Sequence, residues 1–136
     1  STMTINWAVT GIWALKILAA LILLQTLYFK FTGAEESVYI FSTIGMEPWG
    51  RIGTGVLELI AAVLIIYPRT TIFGALLGAG LMSGAIFFHL TKLGIAVRGD
   101  KGQLFIYALL VLLSCSVLLL ISRKEIIRLF NHLLKQ

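Results

Sequence analysis

Charge is what this chain has least of. Only 12% of its 136 residues are Asp, Glu, Lys or Arg, about half the share that ordinary soluble domains carry, while 59% are hydrophobic and mean hydropathy is +0.98. That balance argues against a soluble domain and for one embedded in lipid, with a single domain at this length. One cysteine, Cys115, leaves no intramolecular disulfide and no cysteine metal cluster, and reads as a small apolar residue between Ser114 and Ser116. With two histidines and neither an HxxxH nor an HExxH pattern, no metal is expected. Alternation of period two is missing, which argues against a β-barrel. No basic cluster precedes the first apolar stretch and no small-residue cleavage pattern ends it, so a removable signal peptide is not expected. No nucleophile, base and oxyanion-donor set can be named, which ranks an enzyme acting alone low. Nucleic-acid motifs are absent too, and a net charge of +5 suits anionic lipid better.

What is present is long apolar runs. Residues 6–31, 49–67, 71–90 and 104–121 each meet or approach the roughly 20 residues of a helical crossing. The expected fold is all-α: an integral membrane four-helix up-down bundle, with a short interfacial helix between the first two spans and an amphipathic C-terminal helix over 122–136. Basic residues divide evenly between the two ends, so the positive-inside rule returns a tie. Cytoplasmic termini are favoured, because several basic residues at the far end can belong to the bundle rather than to loops.

Glu58 lies alone inside the apolar run of the second span. A charge at mid-membrane costs about 2.5–3.5 kcal/mol and by default faces a partner or a wet cavity. Counted from the terminus side at 1.5 Å per residue, Lys16 and Glu58 both lie about 12–14 Å deep, so a buried Lys16–Glu58 ion pair is expected. Such a pair can fix helix register alone or mark a polar site. Spacings of fourteen residues between Lys16 and Lys30, and of seven between Arg51 and Glu58, place each pair along one helix face. Gln25 adjoins them, and His89 falls level with Lys30 and Arg51. Lys30, Arg51, Glu58, His89 and Gln25 are therefore the candidate ligand-binding residues. Snorkelling to the headgroups is the alternative for Lys30, Arg51 and Lys92, and a wet interfacial position is the alternative for His89.

The stretch Thr32-Gly33-Ala34-Glu35 has capping-box spacing, and a helix follows it as far as Gly45. Glu47 is placed to pair with Lys30 or Arg51, with a solvated carboxylate as the simpler expectation. Trp7, Trp13, Tyr28, Trp49 and Tyr67 read as interface anchors. Gly74-x-x-x-Gly78 and Gly80-x-x-x-Gly84 allow close backbone approach, within the monomer or in a homo-oligomer. Gln103, Tyr107 and Ser114 share a stripe that can complete a polar lining. In the tail, Ile126, Ile127, Phe130, Leu133 and Leu134 gather on one face, with Arg123, Lys124, Arg128 and Lys135 assigned to the other, which suits a membrane surface.

The Tyr28–Gly33 stretch, the loop Phe41-Ser42-Thr43-Ile44-Gly45-Met46-Glu47-Pro48-Trp49, the run Gly55-Val56-Leu57-Glu58-Leu59 and His89-Leu90 together resemble the DoxX-like family of small four-helix bacterial membrane proteins. The likeness extends to about Ile121 and leaves out the basic tail. It implies a multi-pass protein of the bacterial cytoplasmic membrane. Some relatives are linked to membrane redox systems, including a small subunit of a thiosulfate:quinone oxidoreductase, and more distant ones act in protein assembly or cargo handling. Two functions follow as expectations: a non-catalytic accessory subunit binding quinone or another lipid-like ligand beside a redox partner, or an assembly or interaction protein whose buried polar residues are structural. A small transporter subunit is a further alternative, although one four-helix unit leaves little room for alternating access.

Overall fold

The computed structural model describes residues 6–135. Six α-helices follow in order: α1 Trp7–Phe31, α2 Glu35–Thr43, α3 Trp49–Ile66, α4 Thr71–Phe88, α5 Gln103–Ile121 and α6 Arg123–Leu134, with a π-helical turn, His89–Leu93, extending α4. Among the described residues there is no strand, and four helices are long and apolar enough to cross a membrane: α1, α3, α4 with its π extension, and α5. The all-α four-span fold read from the sequence is the fold observed.

Each boundary answers the need to satisfy backbone groups where water is scarce. Asn6 caps α1 by accepting from the Ala8 and Val9 amides at 3.1 and 3.3 Å. At the turn between α3 and α4, the Thr70 and Thr71 hydroxyls donate to the Leu64 and Ile65 carbonyls at 2.8 and 2.9 Å, which would otherwise be orphaned at the end of α3. The capping box expected before α2 does not form. Thr32 instead closes α1, donating to the Tyr28 carbonyl at 2.9 Å, and α2 starts after Ala34 without a side-chain cap. Arg123 also departs from the expected pattern. Seven residues before Phe130, it lies on the apolar stripe of α6, and its guanidinium turns back to the Leu120 carbonyl at 3.0 Å, closing α5.

The four spanning helices form a closed ring in which α1 packs on α3, α3 on α4, α4 on α5 and α5 on α1. Both described chain ends lie at one end of the ring, the terminal end; α2 and the loop 94–102 lie at the other, the distal end. The core is built of Ala19, Leu23, Ala61, Ile65, Ala75, Val111 and Cys115, all fully buried. Their small average size brings helix axes together. An added Cβ on Gly74 would stand 2.5 Å from the Ile65 backbone nitrogen, and one on Gly78 would stand 2.9 Å from Cys115 Sγ, so the first small-residue pair serves packing within the monomer. Outward faces carry Leu, Ile, Val and Phe exposed to lipid, with Trp7 and Tyr67 exposed near the terminal end and Tyr28 and Trp49 near the distal one. None of α6 is buried against the bundle.

Two carboxylates organise the distal surface. Asp100 accepts from the Val97, Gly102 and Leu104 amides at 2.9, 2.8 and 3.3 Å, which folds the loop and caps the start of α5. Burial opposes its charge, but those three amides and the charge His89 carries when protonated outweigh it and hold Asp100 below the usual carboxylate range. Glu35 meets Arg98 at 2.9 Å, and the Arg98 guanidinium stands 5.4 Å from the Tyr39 ring centre, so the loop is tied to α2.

Candidate functional site

Along two antiparallel helices, facing residue numbers rise on one as they fall on the other, and a single contact fixes the register. The Thr26 hydroxyl donates to Glu58 Oε2 at 2.6 Å, and Lys30 Nζ stands 2.8 Å from Glu58 Oε1. Both oxygens of the carboxylate are thereby held from α1. This corrects the expected Lys16–Glu58 pair. With Thr26 facing Glu58, Lys16 falls level with residue 68, past the end of α3, and about 15 Å along the axis from Glu58. Measuring both from the terminus side went wrong because α1 starts well beyond the end of α3. Lys16 is buried by other means, with its ammonium 4.4 Å from the centre of the Trp13 ring. Lys30, for its part, does not snorkel. Its stem turns inward, leaving the side chain 15% exposed against 2% for Glu58.

Above this pair, toward the distal end, is a cavity of about 500 Å³. From α1 it receives Gln25, Thr26 and Lys30, and from α3 Thr54 and Glu58. Helix α2 forms its cover, with Glu36 and Ser37 on the inner side beside Ile40 and Phe41. Gln103 and Tyr107 line it from α5, the Gln103 amide donating to Tyr107 Oη at 2.9 Å. Its apolar walls include Ile22, Phe29, Leu81, Met82, Phe88 and Leu104. Gly80 and Gly84 border the space, with nothing within 4 Å of where a Cβ would be. Gly84 is half-buried and Gly80 exposed, so the second small-residue pair closes no helix contact.

His89 occupies the point where α4 changes to π winding. Only 5% exposed, it packs edge-on to Phe105 with ring centres 5.6 Å apart, and its Nδ1 lies 2.9 Å from the Gly94 carbonyl. A carbonyl can only accept, so Nδ1 carries the proton, and Nε2 is an acceptor whenever the ring is neutral. Gln25, Lys30, Glu58 and His89 are therefore brought around one cavity, whereas Arg51 is not among its lining residues. Arg51 pairs with Glu47 at 2.9 Å and donates to the Lys30 carbonyl, fastening the start of α3 to the end of α1. Its carboxylate partner lies four residues earlier, in the turn before α3, and holds it away from the cavity. Lys92 is exposed, and Ser114 is buried away from the cavity.

The chain's placement among known proteins rests on its whole membrane domain. The sequence profile of the DoxX-like family matches residues 14–118, from within α1 to the last turns of α5. The chain belongs to the DoxX-like family. As a member with four spans, it is a small multi-pass membrane protein. No curated protein and no solved structure matches it. The DoxX-like match includes every residue lining the cavity, and it leaves α6 outside.

Four polar lining residues escaped the sequence reading: Thr26, Glu36, Ser37 and Thr54. Threonine and serine in a helix ordinarily bond their own backbone, and a charge such as Glu36 in a short interfacial helix is ordinarily solvated. A signal for Glu36 did exist. It lies four residues before Ile40 and eight before Ile44, on the same side of a helix whose other acid, Glu35, points away.

Proposed function

We propose that this DoxX-like protein is a non-catalytic accessory subunit that binds a quinone-like or lipid ligand in the distal cavity, in the service of a membrane redox partner. The observation that carries this reading is the cavity itself. Its volume falls within the range of small-molecule sites, its walls are apolar, and a few polar groups converge at one end, which suits an amphiphile with its head toward α2 and His89. Access from the side opposite the termini follows from its place at the distal end. We assign the protein to the bacterial inner membrane with cytoplasmic termini.

The test is binding of a ubiquinone or menaquinone analogue to the purified protein and to His89→Ala and Gly84→Leu variants. Gly84→Leu fills the hollow from a position with open space around it, so the fold should survive while the site does not. Saturable binding to wild type that weakens at least tenfold in Gly84→Leu supports the reading. Absence of saturable binding, or equal binding by both folded variants, overturns it. One observation favours a second reading, an assembly or interaction protein. Both oxygens of Glu58 are satisfied inside the bundle, as a purely structural pair requires. A stable protein partner copurifying without a small ligand supports that alternative.

A further inference from the structure

Several of the cavity's donors are engaged, and one of its acceptors is not. The Lys30 ammonium and the Thr26 hydroxyl are turned to Glu58, the Gln103 amide donates to Tyr107, and the His89 Nδ1–H lies on the Gly94 carbonyl. On the opposite wall, Glu36 Oε1 is buried and has no hydrogen-bond partner among the described residues. Buried polar atoms are almost always paired, and each exception calls for an explanation. Here the unpartnered oxygen belongs to a residue lining a hollow large enough for a ligand. His89 Nε2 adds a second acceptor whenever the ring is neutral. Gln25, Ser37 and Tyr107 can turn either way and do not decide the matter.

We infer that the head group this cavity accepts is a hydrogen-bond donor, a hydroxyl of the quinol type, held by Glu36 with His89 Nε2 as second acceptor. The inference rests on the proposed binding of a lipophilic ligand and specifies which redox form is favoured. A hydroxyl donating to a carboxylate makes a charge-assisted bond, about twice as strong as a neutral one. A quinone carbonyl in the same place sets one acceptor against another and leaves the carboxylate oxygen unpaired.

A quinone and its quinol have nearly the same shape and differ in whether the two ring oxygens carry hydrogen. Titrating the purified protein with a short-chain quinone, its quinol under anaerobic conditions, and the quinol dimethyl ether separates donation from shape. The quinol is expected to bind at least tenfold more tightly than the other two. Glu36→Ala should bring the quinol to the quinone's level, and Glu36→Gln should give an intermediate value. Glu35→Ala, which removes an exposed acid from the same helix, should leave the preference intact. Equal binding of quinone and quinol, tighter binding of the ether, an unchanged preference in Glu36→Ala, or a preference lost in Glu35→Ala each overturns the inference while leaving the ligand reading in place. Absence of saturable binding by all three overturns both.

Discussion

Helix α4 carries the same small-residue motif twice, and its two copies do opposite things. Gly74 and Gly78 stand where a Cβ would collide with α3 and α5; Gly80 and Gly84, one to two turns farther along, stand beside empty space. Around the first pair the bundle is dry and closed by Ala61, Ile65, Ala75 and Cys115. Around the second, the same four helices separate enough to enclose a polar-lined cavity covered by α2. The terminal half of the bundle is thus closed by packing, and the distal half encloses the cavity. The Lys30–Glu58 pair marks the boundary between them, since it is packed like the first region and lines the second.

That boundary gives the largest expected effect. Removing one partner leaves a buried charge uncompensated, so Lys30→Met or Glu58→Leu alone should destabilise the bundle by about 3–5 kcal/mol, while the double variant should return close to wild type. Unfolding in mixed detergent, read as a double-mutant cycle, measures the coupling. The parallel cycle with Lys16→Met should show none, because Lys16 lies about 15 Å along the axis from Glu58. Strong Lys16–Glu58 coupling would mean that α1 and α3 pack in a different register.

The glycines sharpen the comparison at smaller cost. Gly74→Ala forces a Cβ onto backbone and should destabilise by about 1–3 kcal/mol, as overpacked sites do. Gly80→Ala and Gly84→Ala meet nothing, and alanine is the better helix former by about 0.5–1 kcal/mol, so these two should be neutral or slightly stabilising. Thermal unfolding of the three variants decides it. A loss at Gly84 as large as that at Gly74 would show that the distal half is closed.

How far these features could be read in advance depends on what each signal encodes. The spans and the burial of Glu58 against a partner were legible because hydrophobic length and a lone charge are local properties of the chain. The partner of Glu58 was not. It depends on the axial offset between α1 and α3, and no feature of either helix alone states how far α1 extends beyond its neighbour. Lys30 and Lys16 share one face of α1, so periodicity could not choose between them. The two glycine motifs read identically for a similar reason, because a small residue permits close approach without requiring it. Arg51 was misplaced through Glu47, whose pairing one turn earlier competed with the stripe toward Glu58. Loop 94–102 was passed over entirely, although Asp100 just before a long apolar run is a helix-start signal.

Asp100 supplies the smallest expected effect and the one confined most sharply to the distal end. Its folded pKa lies below the ordinary value near 3.9, so the sign of the pH dependence is fixed. Above about pH 4 the carboxylate is charged whether the chain is folded or not, and the stabilisation from its three amide bonds is fully present. As pH falls below that, the unfolded chain takes up the proton first, and the contribution erodes until the folded pKa is passed. Acid should therefore loosen the loop while leaving the dry half in place. Amide exchange offers the check: protection at Val97, Gly102 and Leu104 should decline below about pH 4, while Ala62 and Ala75 hold theirs. Asp100→Asn, which keeps the shape and removes the charge, should weaken protection already at neutral pH: Val97 and Gly102 then bond to a neutral oxygen, and Leu104 loses its acceptor because Oδ2 is replaced by an NH2. Equal loss of protection at Ala62 and Ala75 would show that the two halves unfold as one unit, and the division between a holding half and a hollow half would then be geometric without being energetic.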